Sequence, residues 1–300
     1  MSTAVTSPTP GPEEAAQATP SLARRTLRVF TGNRLALSGV VLLVLLLAFC
    51  YLGPLVHPTE QVHTDLAQAN LAPGSAGHLL GTTDLGYDMV GRLMIAGRTS
   101  LEIGLAAGLL ATLFGTVYGA VAGYFGGWAD AAMMRVTDAA LAIPAMFLLV
   151  VVAAIITPSK GVLILIIAGV AWLSPARLVR GEALSLRDRE YVQAMRMMGG
   201  GGTRAVFTHI VPNAIGTVIV NCTFQIADAI LYVSYLAFLG LSIPPPSADW
   251  GSMLSAGITY TQNGYWWLIF PPGFAIVLVV AAFNFVGDGL RDAFEVRLRR

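Results

Sequence analysis

Long runs of apolar residues without a charged side chain are the feature that most constrains this chain. The first run contains Val-Leu-Leu-Val-Leu-Leu-Leu at 41–47, and further long apolar segments follow. A helix needs about 20 apolar residues to cross a bilayer core of ~30 Å. Only 12% of the 300 residues are charged, against ~25% in soluble domains. The sequence therefore predicts an all-α, polytopic membrane protein.

Six segments are apolar enough to be predicted as membrane crossings. They are residues 35–52, 101–125, 136–157, 161–179, 214–241 and 266–287. The first segment follows an Arg-rich stretch. We interpret the two together as an uncleaved signal anchor. The second segment carries Gly104, Gly108, Gly115, Gly119 and Gly123. Small residues at this spacing let a neighbouring helix approach closely, so this segment is predicted to pack inside a bundle.

The segments divide the chain into three parts. Residues 1–33 are predicted to be a disordered, basic tail, because their first 20 residues are rich in Ser, Thr, Pro and Ala. Residues 34–100 hold the first transmembrane helix and an external loop. Residues 101–300 form a five-helix core that includes a long loop at 180–213.

The basic residues predict the orientation of these helices. If the N-terminus is cytoplasmic, 15 of the 18 Lys and Arg residues fall on the cytoplasmic side, and only Arg92, Arg98 and Lys160 fall outside. Cytoplasmic loops of membrane proteins carry such an excess of positive charge. Both termini and the loop at 180–213 are therefore predicted to face the cytoplasm. The net charge of +1 gives no reason to expect a nucleic-acid partner.

The loop at 180–213 contains a short amphipathic segment. Ser185 and Asp188 have the spacing of a helix start, and Gly199 is a predicted helix end. Tyr191, Met195 and Met198 then share one face of the helix. Two interpretations remain open on this pattern. The helix lies on the lipid surface with its apolar face down, or it inserts into a groove of a soluble partner.

The same loop carries a recognisable motif. Residues 189–199 read Arg-Glu-Tyr-Val-Gln-Ala-Met-Arg-Met-Met-Gly, and nine residues later comes His-Ile-Val-Pro-Asn. This resembles the EAA loop of bacterial ABC-importer permeases, with Gln193, Ala194 and Met195 in the Glu-Ala-Ala places. Similar matches to the peptide and nickel branch occur at 80–88, 122–128, 238–241, 250–254 and 287–292. From residue 34 to 300 the chain resembles the C-type permease subunit of dipeptide and oligopeptide importers.

The resemblance implies a type I ABC importer permease fold with four kinds of partner. These are a second homologous permease, two cytoplasmic ATPases, an extracytoplasmic substrate-binding protein and the peptide substrate. The resemblance also implies that the following residues couple the chain to an ATPase: Arg189, Glu190, Tyr191, Gln193, Ala194, Met195, Arg196, Gly199, His209 and Pro212. No Gly-x4-Gly-Lys-Ser/Thr loop is present, so ATP and Mg are expected on the partner ATPases. The chain itself is expected to bind no cofactor and to catalyse no reaction, as a subunit of an inner-membrane translocase.

Three polar residues lie inside the fifth apolar segment. Asn221, Gln225 and Asp228 are spaced i, i+4, i+7 and therefore share one helix face. This stripe either lines the translocation path or forms hydrogen bonds between helices, and the pattern does not separate the two. A proton-driven carrier that uses Asp228 is an alternative function, although the internal repeat typical of such carriers is not evident. Within the importer interpretation, nickel chelates or glutathione-like molecules are alternative substrates.

Histidines are concentrated in the predicted external loop. His57, His63 and His78 occur there at irregular intervals together with Asp65 and Asp84. Metal sites normally show regular ligand spacing, so we predict no metal site. These residues are instead expected to form a surface for the binding protein.

Overall fold

The structure, a computed structural model, describes residues 22–298, with side chains from residue 26 to 294. Its α-helices in chain order are α1 Leu22–Gly32, α2 Arg34–Tyr51, α3 Gly53–Val56, α4 Met89–Phe125, α5 Gly127–Leu141, α6 Ala145–Ile155, α7 Lys160–Ala171, α8 Leu173–Arg187, α9 Glu190–Met197, α10 Gly202–Arg204, α11 Val211–Phe238, α12 Trp250–Ile258 and α13 Phe270–Leu298. Within the described residues, β-structure is limited to one isolated antiparallel bridge between Thr82 and Asp88. The prediction of an all-α protein is therefore confirmed.

The helices long and apolar enough to cross a membrane agree with the six predicted segments. Within residues 22–298, four continuous spans meet this criterion: Arg34–Tyr51, Met89–Phe125, Gly202–Phe238 and Trp266–Phe294. Two bent pairs, α5 with α6 and α7 with α8, bring the total to as many as six. The span boundaries differ from the predictions. In particular, α4 starts 12 residues before the predicted residue 101, so it extends well into the predicted external loop.

The predicted third and fourth crossings are each broken by a bend. The axes of α5 and α6 differ by 80°, and those of α7 and α8 by 43°. Pro144, the residue immediately before α6, has φ −57° and an extended ψ of 122°. Its ring also disfavours helical geometry for Ile143, the residue before it. Pro175 lies in the first turn of α8, where proline is tolerated but where it cannot continue the preceding helix. Hydropathy detects the apolar length of such segments but not their direction.

The tail prediction is only partly testable. Residues 1–21 lie outside the described residues. Residues 22–32 form helix α1 rather than a disordered segment, and α1 packs against α13. The side chain of Asn33 accepts hydrogen bonds from the N–H groups of Leu35 and Ala36 and so caps α2. Such capping stabilises the start of a helix that follows directly on another.

Helix α4 is the centre of the bundle, and its glycines explain why. It contacts α2, α5, α7, α8, α11 and α12. A Cβ on Gly108 would lie 2.8 Å from the Cα of Ile226 in α11, and one on Gly115 would lie 2.6 Å from the carbonyl oxygen of Trp172 at the start of α8. Only glycine permits these approaches. The predicted close packing of this segment is therefore confirmed.

The buried side chains form three clusters along the bundle. One surrounds Trp250, which is fully buried and donates from its indole N–H to the carbonyl of Leu93 at 3.0 Å. A second joins α6 and α7 to α4 and α11 through residues such as Leu149 and Ile167. The third, at the opposite end from Trp250, contains Val192 and supports the loop between α8 and α11. We call this end the coupling-loop end.

Candidate functional site

The connection between α8 and α9 differs from the predicted helix start. Ser185 lies inside α8, and Asp188 is the residue at the C-terminal end of α8. Helix α9 begins at Glu190 after Arg189, which has extended backbone angles and makes no side-chain cap. The prediction that Ser185 and Asp188 cap the amphipathic helix is therefore wrong. The Ser-x-x-Asp pattern gave the spacing of a cap, but α8 continues straight through it, because Ala183 packs against Gly123 of α4.

The buried face of α9 also differs from the predicted one. Val192 is fully buried and Met195 is 6% exposed, and both pack in the cluster with Tyr124, Val206 and Ile210. Met195 therefore holds α9 against the bundle and does not present its side chain to a partner. Tyr191 and Met198, which were predicted to share its face, point away from this cluster. The helical spacing was correct, but the stripe that is buried contains Val192 and Met195.

The outer surface of α9 and the turn that follows it expose large apolar side chains. Tyr191 is 43% exposed, Met197 84% and Met198 81%. Phe207, in the next helical segment, is also exposed. We call these four residues the docking surface. Exposed apolar groups of this size typically mark an interaction site, and Met is common at helix-binding surfaces. The sequence analysis missed Met197 and Phe207, although both are large apolar residues in a charged loop.

The remaining predicted coupling residues lie around this surface. Glu190 and Gln193 are exposed on α9, whereas Ala194 is half-buried. The Gln193 side chain donates to the carbonyl of Asp188 at 3.2 Å. The Tyr191 ring lies 6.0 Å from the ring of His209.

Arg196 ties α9 to the central helix. Its Nε donates to the hydroxyl oxygen of Tyr124 at 3.1 Å, and its guanidinium carbon lies 4.5 Å from the centre of that ring. Tyr124 is near the end of α4. Because a cation over an aromatic ring and a hydrogen bond act on the same pair, Arg196 fixes the position of α9 relative to α4.

Gly199 ends α9, as predicted. Its φ is +81°, a conformation that is unfavourable for residues with a Cβ. The N–H of Gly199 donates to the carbonyl of Arg196, and the N–H of Gly200 donates to that of Met195. These bonds satisfy carbonyls that would otherwise be free at the helix end.

The second half of the loop joins directly to a membrane span. After α10, residues Ala205–Ile210 form a π-helical segment that continues into α11 without a break. Pro212 lies in the first turn of α11, and it has no N–H to donate to the preceding π-helical turn. The second half of the loop and this span therefore form one 37-residue helical path, Gly202–Phe238.

One ion pair and one arginine–carbonyl hydrogen bond hold the coupling-loop end together. Arg180 of α8 donates from Nε and Nη2 to the two carboxylate oxygens of Asp130 in α5, at 2.5 and 2.6 Å. Arg187 donates to the carbonyl of Gly123 in α4 at 3.2 Å. A bidentate arginine–carboxylate pair is both strong and geometrically specific. The bent helices α5 and α8 are thereby joined where they approach the loop.

Gln225 is separated from the other two predicted path residues. It is 5% exposed, and its Nε2 donates to the carbonyl of Ala171 at 2.5 Å. Ala171 lies four residues before Pro175, whose missing N–H leaves this carbonyl without its usual helical donor. Gln225 therefore supplies the hydrogen bond that the bend between α7 and α8 requires. It belongs to the packing between helices and not to an open stripe.

Asn221 and Asp228 lie on the open side of α11. Asp228 is exposed in the isolated chain and forms no ion pair among the described residues. At 100° per residue, Thr217, Asn221, Phe224 and Asp228 fall within an arc of about 60°. A carboxylate at membrane depth is costly unless it faces water or a partner. The open face of α11 is therefore a candidate path-lining surface.

The loop between α3 and α4 contains a second polar cluster, centred on Asp88. This buried residue caps α4 and accepts hydrogen bonds from the N–H of Gly91 at 2.8 Å, from His78 Nδ1 at 2.8 Å and from His57 Nε2 at 3.2 Å. Burial by itself would raise the pKa of Asp88, but these hydrogen bonds outweigh it and the pKa is lowered. Within the described residues, no group of three His, Cys, Asp or Glu side chains has the geometry of a metal site.

Comparison with known proteins agrees with this architecture. Residues 115–300 match the family described as the binding-protein-dependent transport system inner membrane component. Residues 21–73 match the N-terminal transmembrane domain of oligopeptide transport permease C. The chain is 40% identical over 280 residues to the oligopeptide transport system permease protein OppC of Escherichia coli K12, covering 93% of this chain and 92% of the relative.

Two Bacillus subtilis proteins show the same relationship. The chain is 38% identical over 282 residues to its oligopeptide transport system permease protein OppC, covering 93% and 91% of the two chains. It is 38% identical over 268 residues to its dipeptide transport system permease protein DppC, covering 89% and 83%. With its apolar spans and its family match over residues 115–300, this chain belongs to the binding-protein-dependent transport system inner membrane components, as a multi-pass permease of the C type.

Proposed function

We propose that this chain is one of two permease subunits of an ATP-driven importer for di- and oligopeptides. A second homologous permease completes the path, two cytoplasmic ATPases bind ATP and Mg, and an extracytoplasmic binding protein delivers the peptide. Both termini face the cytoplasm. The chain performs no bond chemistry. Its relatives named as oligopeptide and dipeptide permeases support the substrate class, and a proton-driven carrier has no support among them.

The observation that carries this proposal is the docking surface of Tyr191, Met197, Met198 and Phe207. These residues are exposed, while Val192 and Met195 fix α9 to the bundle from its other side. An exposed, apolar and firmly supported helix suits the groove of a soluble ATPase better than a lipid surface. Movement of this helix would reach α11 through the continuous segment that begins at Gly202.

The orientation rests on the distribution of arginine. Arg177, Arg180 and Arg187 lie on α8, and Arg189, Arg196 and Arg204 follow before α11. All six belong to the coupling-loop end, whereas Arg92 and Arg98 lie near the opposite end of α4. Cytoplasmic placement of the arginine-rich end follows the positive-inside rule.

The coupling contact is tested by co-purification with a matched pair of variants. A tagged chain is extracted from native membranes in mild detergent, and its partners are identified by mass spectrometry. Gly199 has φ +81°, whereas Gly201 has φ −73°, and a Cβ at either position meets nothing within 4 Å. Proline requires φ near −65°. Gly199→Pro is therefore expected to lose the ATPases, and Gly201→Pro is expected to retain them.

The substrate class is tested by reconstitution. The purified complex in liposomes, supplied with its binding protein and with ATP, is expected to accumulate labelled tri-alanine, and the same vesicles without ATP are not. A nickel chelate and glutathione serve as alternative substrates in parallel vesicles. If the wild-type chain recovers no ATPase in several detergents, the assignment as an ATP-driven importer is contradicted. If the vesicles take up one of the alternative substrates in place of tri-alanine, the assignment of peptides as the substrate is contradicted.

A further inference from the structure

A cleft of about 490 Å³ lies at the coupling-loop end, where the end of α4 meets the corner between α8 and α9. Its lining consists of Tyr124, Phe125, Arg187, Asp188, Arg196 and Gly202. Two arginines and one aspartate give the cleft one net positive charge. A cleft of this charge attracts an anion and needs hydrogen-bond donors that are free to bind it.

Both arginines keep such donors. Arg196 uses Nε for the hydroxyl of Tyr124, and its two terminal nitrogens have no acceptor among the described residues. Arg187 uses Nη1 for the carbonyl of Gly123, which leaves Nη2. Oδ1 of Asp188 lies 3.6 Å from Nε of Arg187, which is beyond hydrogen-bonding distance. Because guanidinium groups match the geometry of phosphate oxygens, the cleft suits a phosphate group, and Asp188 adds one acceptor at its edge.

The cleft lies at the level of the lipid headgroups. The span Met89–Phe125 ends beside it, and Arg187 contacts the carbonyl of Gly123 within the last turn of that span. Phe125 and Trp128, on either side of the turn between α4 and α5, are both exposed. Aromatic side chains are enriched where membrane spans meet water. Basic pockets at the inner ends of such spans bind anionic headgroups.

The cleft and the docking surface lie on different sides of α9. At 100° per residue, Arg196 is about 40° from the buried Val192 and about 140° from the exposed Tyr191. Arg196 therefore points toward the bundle and its membrane side. A protein bound over the docking surface leaves the cleft uncovered, which favours a lipid over an acidic side chain of an ATPase as its occupant.

We propose that this cleft binds the headgroup of an anionic phospholipid of the phosphatidylglycerol type. The phosphodiester accepts hydrogen bonds from the terminal nitrogens of Arg187 and Arg196, and a headgroup hydroxyl donates to Asp188. The bound lipid bridges the end of α4 and helix α9, so it holds the coupling loop against the membrane surface. The proposal requires a membrane-embedded chain, which the family match establishes, and it does not depend on the transported substrate.

The test is native mass spectrometry of the purified complex in mild detergent, supplied with equal amounts of phosphatidylglycerol and phosphatidylcholine. Both lipids carry a phosphodiester, but only phosphatidylglycerol has a net negative charge and hydroxyl donors. The wild-type complex is expected to retain phosphatidylglycerol. Arg187→Gln and Arg196→Gln should each lower its affinity about ten-fold, since each removes a hydrogen bond to a charged group. The difference between wild type and variant isolates this site from other lipids on the complex.

The matched control is Arg204→Gln. Arg204 lies on α10 in the same loop, is exposed and does not line the cleft. Its substitution removes the same charge from the same end of the molecule, so lipid retention should equal that of the wild type. Circular dichroism of each variant shows whether its helices have formed. Arg196→Lys keeps the charge at the cleft and should retain more phosphatidylglycerol than Arg196→Gln.

Three results would overturn the inference. The first is equal retention of the two lipids by the wild type, or a loss in Arg204→Gln as large as in the two cleft variants. The second is displacement of the lipid by excess inorganic phosphate, which would identify a soluble anion as the ligand. The third is loss of the ATPases from Arg187→Gln and Arg196→Gln with the lipid retained, which would assign both arginines to an ATPase interface. None of these results bears on peptide import, which the reconstituted vesicles test separately.

Discussion

The contact between α4 and α11 at Gly108 allows a quantitative prediction. In Gly108→Ala, the new Cβ would lie 2.8 Å from the Cα and 2.9 Å from the backbone N of Ile226. Optimal carbon contacts are about 3.5–4.0 Å, so the two helices must separate locally by roughly 0.7 Å. Both atoms belong to the backbone of α11, and no side-chain rotation can relieve the contact. The central helix pair of the bundle therefore has to move.

The expected cost follows from two opposing terms. Overpacking of a well-packed interior costs about 1–3 kcal/mol, and a rigid backbone neighbour favours the upper half of that range. Alanine in place of a helical glycine returns up to about 1 kcal/mol through helix propensity. The net destabilisation of Gly108→Ala is therefore about 1–2 kcal/mol. Gly169→Ala in α7 is the matched control, because a Cβ there meets nothing within 4 Å. It should be neutral or stabilising by up to about 1 kcal/mol.

The free energy of unfolding is measured by titrating the purified chain in mixed micelles with a denaturing detergent. Circular dichroism should show the same helix content for both variants before the titration, because only the association of formed helices changes. Equal stability of Gly108→Ala and Gly169→Ala would refute the reasoning, since it would mean that α4 and α11 are not in contact at this glycine.

Three further predictions follow from single contacts. Met195→Ala should lower the free energy of unfolding by about 2–5 kcal/mol, because it leaves a cavity at a buried site. Met197→Ala should change the free energy of unfolding by less than about 0.5 kcal/mol, but it should weaken co-purification of the ATPases. The pKa of Asp88 is lowered in the folded chain, so the ionised carboxylate stabilises the fold above its ordinary pKa of about 3.9 and this stabilisation is lost as the pH falls below that value. Protease protection of the loop before α4 should therefore decline below about pH 4 in the wild-type chain. The protection of Asp88→Asn should not follow this titration. Trp250→Phe removes the indole hydrogen bond to Leu93 and part of a fully buried ring, so thermal unfolding in detergent should shift to lower temperature, and an unchanged midpoint would contradict the packing described for that end.

Much of the fold could be predicted because apolar length and glycine spacing are local properties. A run such as 41–47 must lie in a membrane or a core wherever the rest of the chain goes. The glycines of α4 indicate a close neighbour without naming it. Gly199 marks a helix end because few other residues adopt a positive φ. None of these inferences depends on a residue distant in the sequence.

The candidate site could be predicted only to the level of a loop. Residues 189–199 carry the motif, but the choice of buried face on α9 depends on Tyr124 and Ile210, which come from two other helices. The spacing predicted a buried face of Tyr191, Met195 and Met198. Met195 also belongs to an adjacent face of the helix that contains Val192, and the structure buries that face instead. The exposure of Met197 and Phe207 follows from the same packing.

The sequence by itself determined that this protein is a helical membrane permease, which end of it carries the arginines, and where the loop with the predicted coupling motif lies. The tertiary structure alone decided which polar side chains serve packing and which face outward. Gln225 and Asp228 are three residues apart on one helix, and the sequence pattern placed both on the same polar stripe. The proline bend in a different helix leaves a carbonyl that accepts a hydrogen bond from Gln225, whereas Asp228 forms no ion pair with the described residues. Such a distinction depends on contacts between segments about 50 residues apart, which no local pattern contains.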